Sequence, residues 1–84
     1  MKFVSIGYGN TIAADRIVLI TGPEAAPVKR MIADAKEQGR VIDASSGRRT
    51  RSVIVTDSEH IILSALTSDT LTQRLGGTVI PDAD

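Results

Sequence analysis

The sequence predicts a small α+β domain, and three observations carry that prediction. Apolar residues alternate near the N-terminus, at Val4, Ile6 and Tyr8, and run unbroken at residues 17–20 and 53–55, which are the patterns of half-buried and fully buried strands. Val28, Met31, Ile32 and Ala35 recur at the i, i+3, i+4, i+7 spacing of one buried helix face. The chain has 84 residues, no cysteine and only Phe3 and Tyr8 as aromatics, so it forms a single domain around an aliphatic core. The predicted order is strand, strand, helix, three strands, helix. It reads as an antiparallel sheet with one main helix and a short C-terminal helix.

The first strand runs through Val4, Ile6 and Tyr8. Gly7, Gly9 and Asn10 then mark a bulge or turn, because each tolerates positive φ. Residues 17–20, IVLI, form a short buried strand. Thr21-Gly22-Pro23-Glu24 opens the helical region, since Pro suits a first helical position and Glu suits the dipole there. Pro27 either lies in the first turn or begins the helix proper. It fixes the start of a helix whose outer face carries Lys29, Arg30, Lys36 and Glu37. Gly39 ends that helix as a C′ residue.

Val41 and Ile42 form another short strand, and residues 43–47 are a loop by composition. Residues 51–56 form a central strand, residues 56–60 a hairpin turn, and residues 61–66 the returning strand. Ser68 or Asp69 caps a last helix that uses Leu71 and Leu75 and ends at Gly76-Gly77. Residues 77–84 read as a flexible tail to the single domain 1–84.

Composition excludes several function classes. Without cysteine there are no disulfides and no thiolate zinc site, and one histidine is too few for a histidine-based one. No metal or other cofactor is expected. No apolar run reaches the length of a membrane span, and the N-terminus lacks the apolar core of a secretory signal, so a cytoplasmic protein is expected. A domain this small with few aromatics buries little area, which favours assembly into a homo-oligomer. The net charge is zero, yet residues 1–56 hold nine Lys/Arg against five Asp/Glu, and residues 57–84 hold one against five. A local basic patch attracts a polyanion even on a neutral molecule.

No enzyme signature stands out. His60 sits at a hairpin turn with no GxSxG elbow anywhere in the chain. Gly7-Tyr8-Gly9 lacks the third glycine and the strand–turn–helix setting of a dinucleotide fingerprint, so a strand bulge explains it better than a phosphate cradle. Asp43, Asp57 and Glu59 lie in separate turns. The least favoured of three readings is an enzyme acting on a phosphorylated ligand, with His60 and Asp57 as acid and base.

Arg48, Arg49 and Arg51 are different. Three guanidinium groups fall within four positions, after Gly47 and before an apolar run. Read as a strand entrance, Arg49 and Arg51 point to one face and Arg48 to the other, so the cluster straddles an edge. A guanidinium matches phosphate or guanine bidentately, and the mutual repulsion of the three would be relieved by a polyanion. A solvated face with ion pairs to Asp43 or to the acidic tail fits the composition equally well. Lys29 and Arg30 add a second basic pair near a helix N-terminus, where an Arg30–Asp34 pair on an ordinary outer face is the alternative. Arg16 is an isolated charge before a buried strand.

The stretches FVSIGYGN, PEAAPVKRMI, IDASSGRRTR and DSEHIILSA resemble, in order and spacing, the RemA family of bacterial extracellular-matrix regulatory proteins. The match runs from about Phe3 to Leu75. This resemblance implies a nucleoid-associated transcriptional regulator that activates matrix and biofilm genes. It implies a fold like that of LytTR-type DNA-binding domains, assembled into a homo-oligomeric ring with duplex DNA contacted around the outside. Arg48, Arg49 and Arg51 would be the main DNA contacts, with Arg16, Lys29 and Arg30 extending the surface and Pro27 and Gly47 as structural positions. The position of Ser46 is often aromatic in that family, so this chain lacks one stacking group beside the loop. A different class of reading makes the protein a structural interaction module whose arginines pair with neighbouring subunits.

Overall fold

The computed structural model describes residues 1–77. In chain order the elements are β1 (Phe3–Gly7), β2 (Asn10–Ala13), a 3-10 turn (Ala14–Arg16), β3 (Ile17–Thr21), α1 (Ala26–Glu37), β4 (Val41–Asp43), β5 (Ser52–Thr56), β6 (Ile61–Ser64) and α2 (Ser68–Arg74). The α+β class and the two helices are as predicted. The tail beyond Gly77 lies outside the described residues.

The strands make two sheets. β1 and β2 form a separate antiparallel ribbon, and the other four lie in the order β3-β5-β6-β4. β5 pairs antiparallel with both β3 and β6, while β4 runs parallel to β6 through Val41↔Ile61 and Asp43↔Leu63. The larger sheet is therefore mixed, where an antiparallel one was expected. The cause is α1: it carries the chain from the end of β3, across β5 and β6, to the far edge. A helical crossover of this kind returns the chain parallel to the strand beside it.

Alternation along β5 and β6 sends side chains to both faces, and both faces are covered. Val53, Ile61 and Leu63 pack with Ala35 under Val28, Met31 and Ile32 of α1. Ile54 and Ile62 pack on the other face with Ile6 and Ile12 of the ribbon and Leu71 of α2. Double coverage explains why SVIVT and IILS are nearly continuous apolar runs. Ser64 joins the layers, its Oγ donating to the Ile6 carbonyl at 2.9 Å.

The helix ends follow local chemistry. Pro27 falls within the first two helical positions of α1, where its missing N–H leaves no orphan. Pro23 lies ahead of the helix. Gly39 takes φ 68° at C′, as the sequence predicted, and the Arg40 and Gly39 amides donate back to Ala35 and Lys36, closing a Schellman motif. In α2 the cap is Thr67 and not Ser68 or Asp69: its side chain accepts from the Thr70 amide at 3.2 Å.

Candidate nucleic-acid interface

β5 begins at Ser52, so Arg48, Arg49 and Arg51 do not straddle a strand as expected. They sit on the loop between β4 and β5, at the mouth of an inner strand, and all three are exposed. The loop is braced along its length. Asp43 accepts from the Ser45 amide at 3.0 Å and from the Ser45 hydroxyl at 2.6 Å. These bonds hold the Asp43 carboxyl below the usual carboxylate range, with the nearby Lys36 charge contributing less. The Ala44 amide donates to Leu63, the Arg48 amide to Ser45 and the Arg51 amide to Ser64. Ser46 and Gly47 both take positive φ, 54° and 74°, in the turn that presents Arg48. A Cβ at Gly47 would meet no atom within 4 Å, so the dihedral and not space selects glycine there.

The expected pair with Asp43 does not form, and the acidic tail lies outside the described residues. Asp43 is committed to Ser45, and among the described residues the single salt bridge is Arg16–Asp57. No carboxylate of those residues comes within 4.0 Å of Arg48, Arg49 or Arg51, and the Arg30–Asp34 pair is absent too. Three guanidinium groups thus stand without a counter-ion among the described residues, on a loop whose backbone is held by hydrogen bonds.

The sheet register places the other cations. Thr21 of β3 lies opposite Val53, so the chain leaves β3 at the end of the sheet where β5 begins and enters α1 there. Exposed Lys29 and Arg30, in the first turns of α1, therefore lie at the same end of the sheet as the arginine loop. Arg16 does not. It precedes Ile17, which pairs with Thr56, the last residue of β5. Its Nε donates to Asp57 Oδ1 at 2.7 Å, and its carbonyl accepts from the Asp57 amide. Arg16 is at the opposite end of the sheet and carries its own counter-ion.

The ribbon brings two unpredicted residues to the arginine loop. Tyr8 was read as a strand residue, but it occupies the β1–β2 turn with φ 54°, followed by Gly9 at 82°. Positive φ at both central positions is the pattern of a type I′ hairpin turn. The Arg48 guanidinium lies over the Tyr8 ring, 4.2 Å from its centroid. Asn10 Nδ2 donates to the carbonyls of Gly7 and Tyr8 within the turn and to Ala44 at the root of the loop. β2 itself escaped the sequence reading because NTIA buries only Ile12.

The groups named for acid–base chemistry have other duties. Asp57 pairs with Arg16, and His60 Nδ1 shares a 2.8 Å hydrogen bond with Ser58 Oγ, which lies 2.9 Å from Thr56 Oγ1. These bonds tie the β5–β6 turn. Among the described residues no cluster of three or more His, Cys, Asp or Glu could hold a metal ion, and no helix is long and apolar enough to cross a membrane.

With this geometry in view, the comparisons with known proteins agree with the resemblance seen in the sequence. A protein of Geobacillus thermodenitrificans named "Putative regulatory protein" is 54% identical over 77 residues, covering 92% of this chain and 88% of its own length. Proteins of the same name from Acetivibrio thermocellus and Alkaliphilus metalliredigens are 55% and 57% identical, each over 75 residues, 89% of this chain and 81% of theirs. The family profile described as "Extracellular matrix regulatory protein A-like" matches residues 3–75, and the chain belongs to that RemA-like family.

Proposed function

We propose that the protein is a cytoplasmic, non-enzymatic regulator that binds duplex DNA through the braced arginine loop, repeated around a homo-oligomeric ring. The observation that carries this reading is the set of three exposed guanidinium groups with no carboxylate of the described residues beside them, on a loop fixed by its own hydrogen bonds. A solvated face would be free to compensate its charges with neighbouring carboxylates, as Arg16 does with Asp57. A guanidinium fork held on a braced loop suits phosphate oxygens or the minor groove. Lys29 and Arg30 extend the surface at the same end of the sheet. Family membership supports regulation of transcription, with extracellular-matrix and biofilm genes as the target class.

One copy presents few cations, and each neutralised phosphate contributes modestly, so tight binding needs repetition on one rigid body. The two sheet edges support assembly. β3 exposes Val18 and Leu19 at one edge, and β4 exposes Ile42 at the other. Unlike edges on opposite sides suit head-to-tail contacts, which make a ring when the rotation between copies closes. A ring would also set Arg16, at the far end of each sheet, on the same assembly as its neighbours' loops. DNA curved around such a body, with few base contacts, would be selected mainly by deformability.

The test is a titration of duplex DNA by wild type and by Arg49→Ala, with light-scattering mass on both samples. The proposal predicts the same large mass for both and DNA binding only by wild type. If Arg49→Ala loses the oligomer instead, the arginines serve subunit contacts and the interaction-module reading replaces this one.

A further inference from the structure

We propose that Tyr8 is a positioning residue of the DNA-binding surface, holding the Arg48 guanidinium against its ring so that the fork faces phosphate in one orientation. The inference rests on the DNA-binding reading above and adds a residue, and a second element of the fold, to it.

Three observations lead there. First, Tyr8 sits at φ 54°, a conformation costly for a bulky side chain and ordinary for Asn or Gly, which type I′ turns favour at this position. The sequence keeps the costly residue, and such strain often marks a functional site. Second, core packing does not account for it: the residue is 50% exposed and belongs to neither hydrophobic cluster. Its hydroxyl makes no hydrogen bond among the described residues. Third, the Arg48 guanidinium lies over the ring, 4.2 Å from the centroid. Asn10 fixes that placement by bonding the turn to Ala44, so both partners of the contact sit on braced backbone.

The physical role follows. Arginine has many rotamers, and ordering them on binding costs affinity. A ring beneath the guanidinium removes much of that cost in advance and leaves the outward edge of the fork open to an anion. Cation–π contacts at exposed sites are worth roughly a two- to fivefold factor in an equilibrium constant. A ring of subunits would multiply that factor.

The experiment uses the full chain and four variants: Tyr8→Asn, Tyr8→Phe, Arg48→Ala and the double variant Tyr8→Asn/Arg48→Ala. Thermal stability, assembly mass, duplex affinity and the salt slope of binding are measured for each. Tyr8→Asn should keep or raise the melting temperature, because it relieves the turn, while weakening DNA binding several-fold with the salt slope unchanged. Tyr8→Phe should match wild type, since the ring face does the work. In the Arg48→Ala background, Tyr8→Asn should cost nothing more. A structural role would instead lower stability and affinity together, and would overturn the proposal. Unchanged affinity in Tyr8→Asn, or an equal extra loss in the Arg48→Ala background, would overturn it too. Arg49→Ala, which leaves this contact intact, separates the two claims. If Arg49→Ala abolishes binding and Tyr8→Asn does not affect it, only the positioning role fails. If wild type binds no duplex, the DNA reading fails and this role with it.

Discussion

The two ends of β5 treat arginine in opposite ways. At its C-terminal end Arg16 has Asp57 at 2.7 Å, and the turn beyond is closed by a chain of hydrogen bonds from Thr56 through Ser58 to His60. At its N-terminal end Arg48, Arg49 and Arg51 have no such partner among the described residues, although Asp43 is only a few residues away. The nearest carboxylate in sequence is spent on Ser45, inside the loop. One end uses its acid to neutralise a cation. The other uses its acid to shape the backbone that displays cations. Local charge counts cannot distinguish these arrangements.

The sharpest way to break the comparison is to remove the uncompensated charges. Arg49→Ala and Arg51→Ala should each lower duplex affinity by about 100-fold or more in the assembled protein and flatten the salt dependence. Because both residues are exposed and form no salt bridge among the described residues, stability should stay within about 0.5 kcal/mol of wild type in chemical denaturation.

The scaffold at the arginine end can be tested through Ser52 and Ser64, which face each other across β5 and β6. Ser64 Oγ bonds the Ile6 carbonyl and accepts from the Leu66 amide, while Ser52 Oγ is buried with no partner. Ser64→Ala should therefore cost about 1–3 kcal/mol of unfolding free energy, and Ser52→Ala should be neutral or stabilising.

At the opposite end, Arg16→Ala should weaken DNA binding only a few-fold, since Asp57 already screens that charge, and should cost about 0–1 kcal/mol of stability. Asp57→Asn sharpens the contrast: it releases Arg16, so affinity should hold or rise slightly.

The smallest effect is expected at Asp43. Its carboxyl titrates lower folded than unfolded, so its contribution is present above the unfolded value near pH 4 and is lost as pH falls through the lowered folded value. The stability difference between wild type and Asp43→Asn should be measurable at neutral pH and vanish in acid.

Much of this fold was legible because periodicity reports burial. The α1 face, the buried runs of β5 and β6 and the glycine after each helix all follow from residue spacing. The arginine cluster was legible for the same local reason, as three like charges in four positions. What stayed hidden was long-range. No spacing rule says that α1 crosses two strands and makes β4 parallel, or that NTIA folds back as β2. The pairing of Tyr8 with Arg48 joins residues forty positions apart, and Gly7-Tyr8-Gly9 taken alone looked like a strand bulge. Arg16 was grouped with the loop, yet register alone sends it to the other end of the sheet.

The central proposal is that the arginine-loop end of the sheet binds DNA in many copies at once. The most direct test is duplex titration by the purified protein at several salt concentrations, with light-scattering mass on the same sample. The account predicts a large oligomer whose affinity falls steeply with salt, with a slope well beyond the roughly three phosphates that one loop could neutralise. A large oligomer with no duplex affinity at low salt would contradict it, and would assign the arginines to assembly or to a small anion.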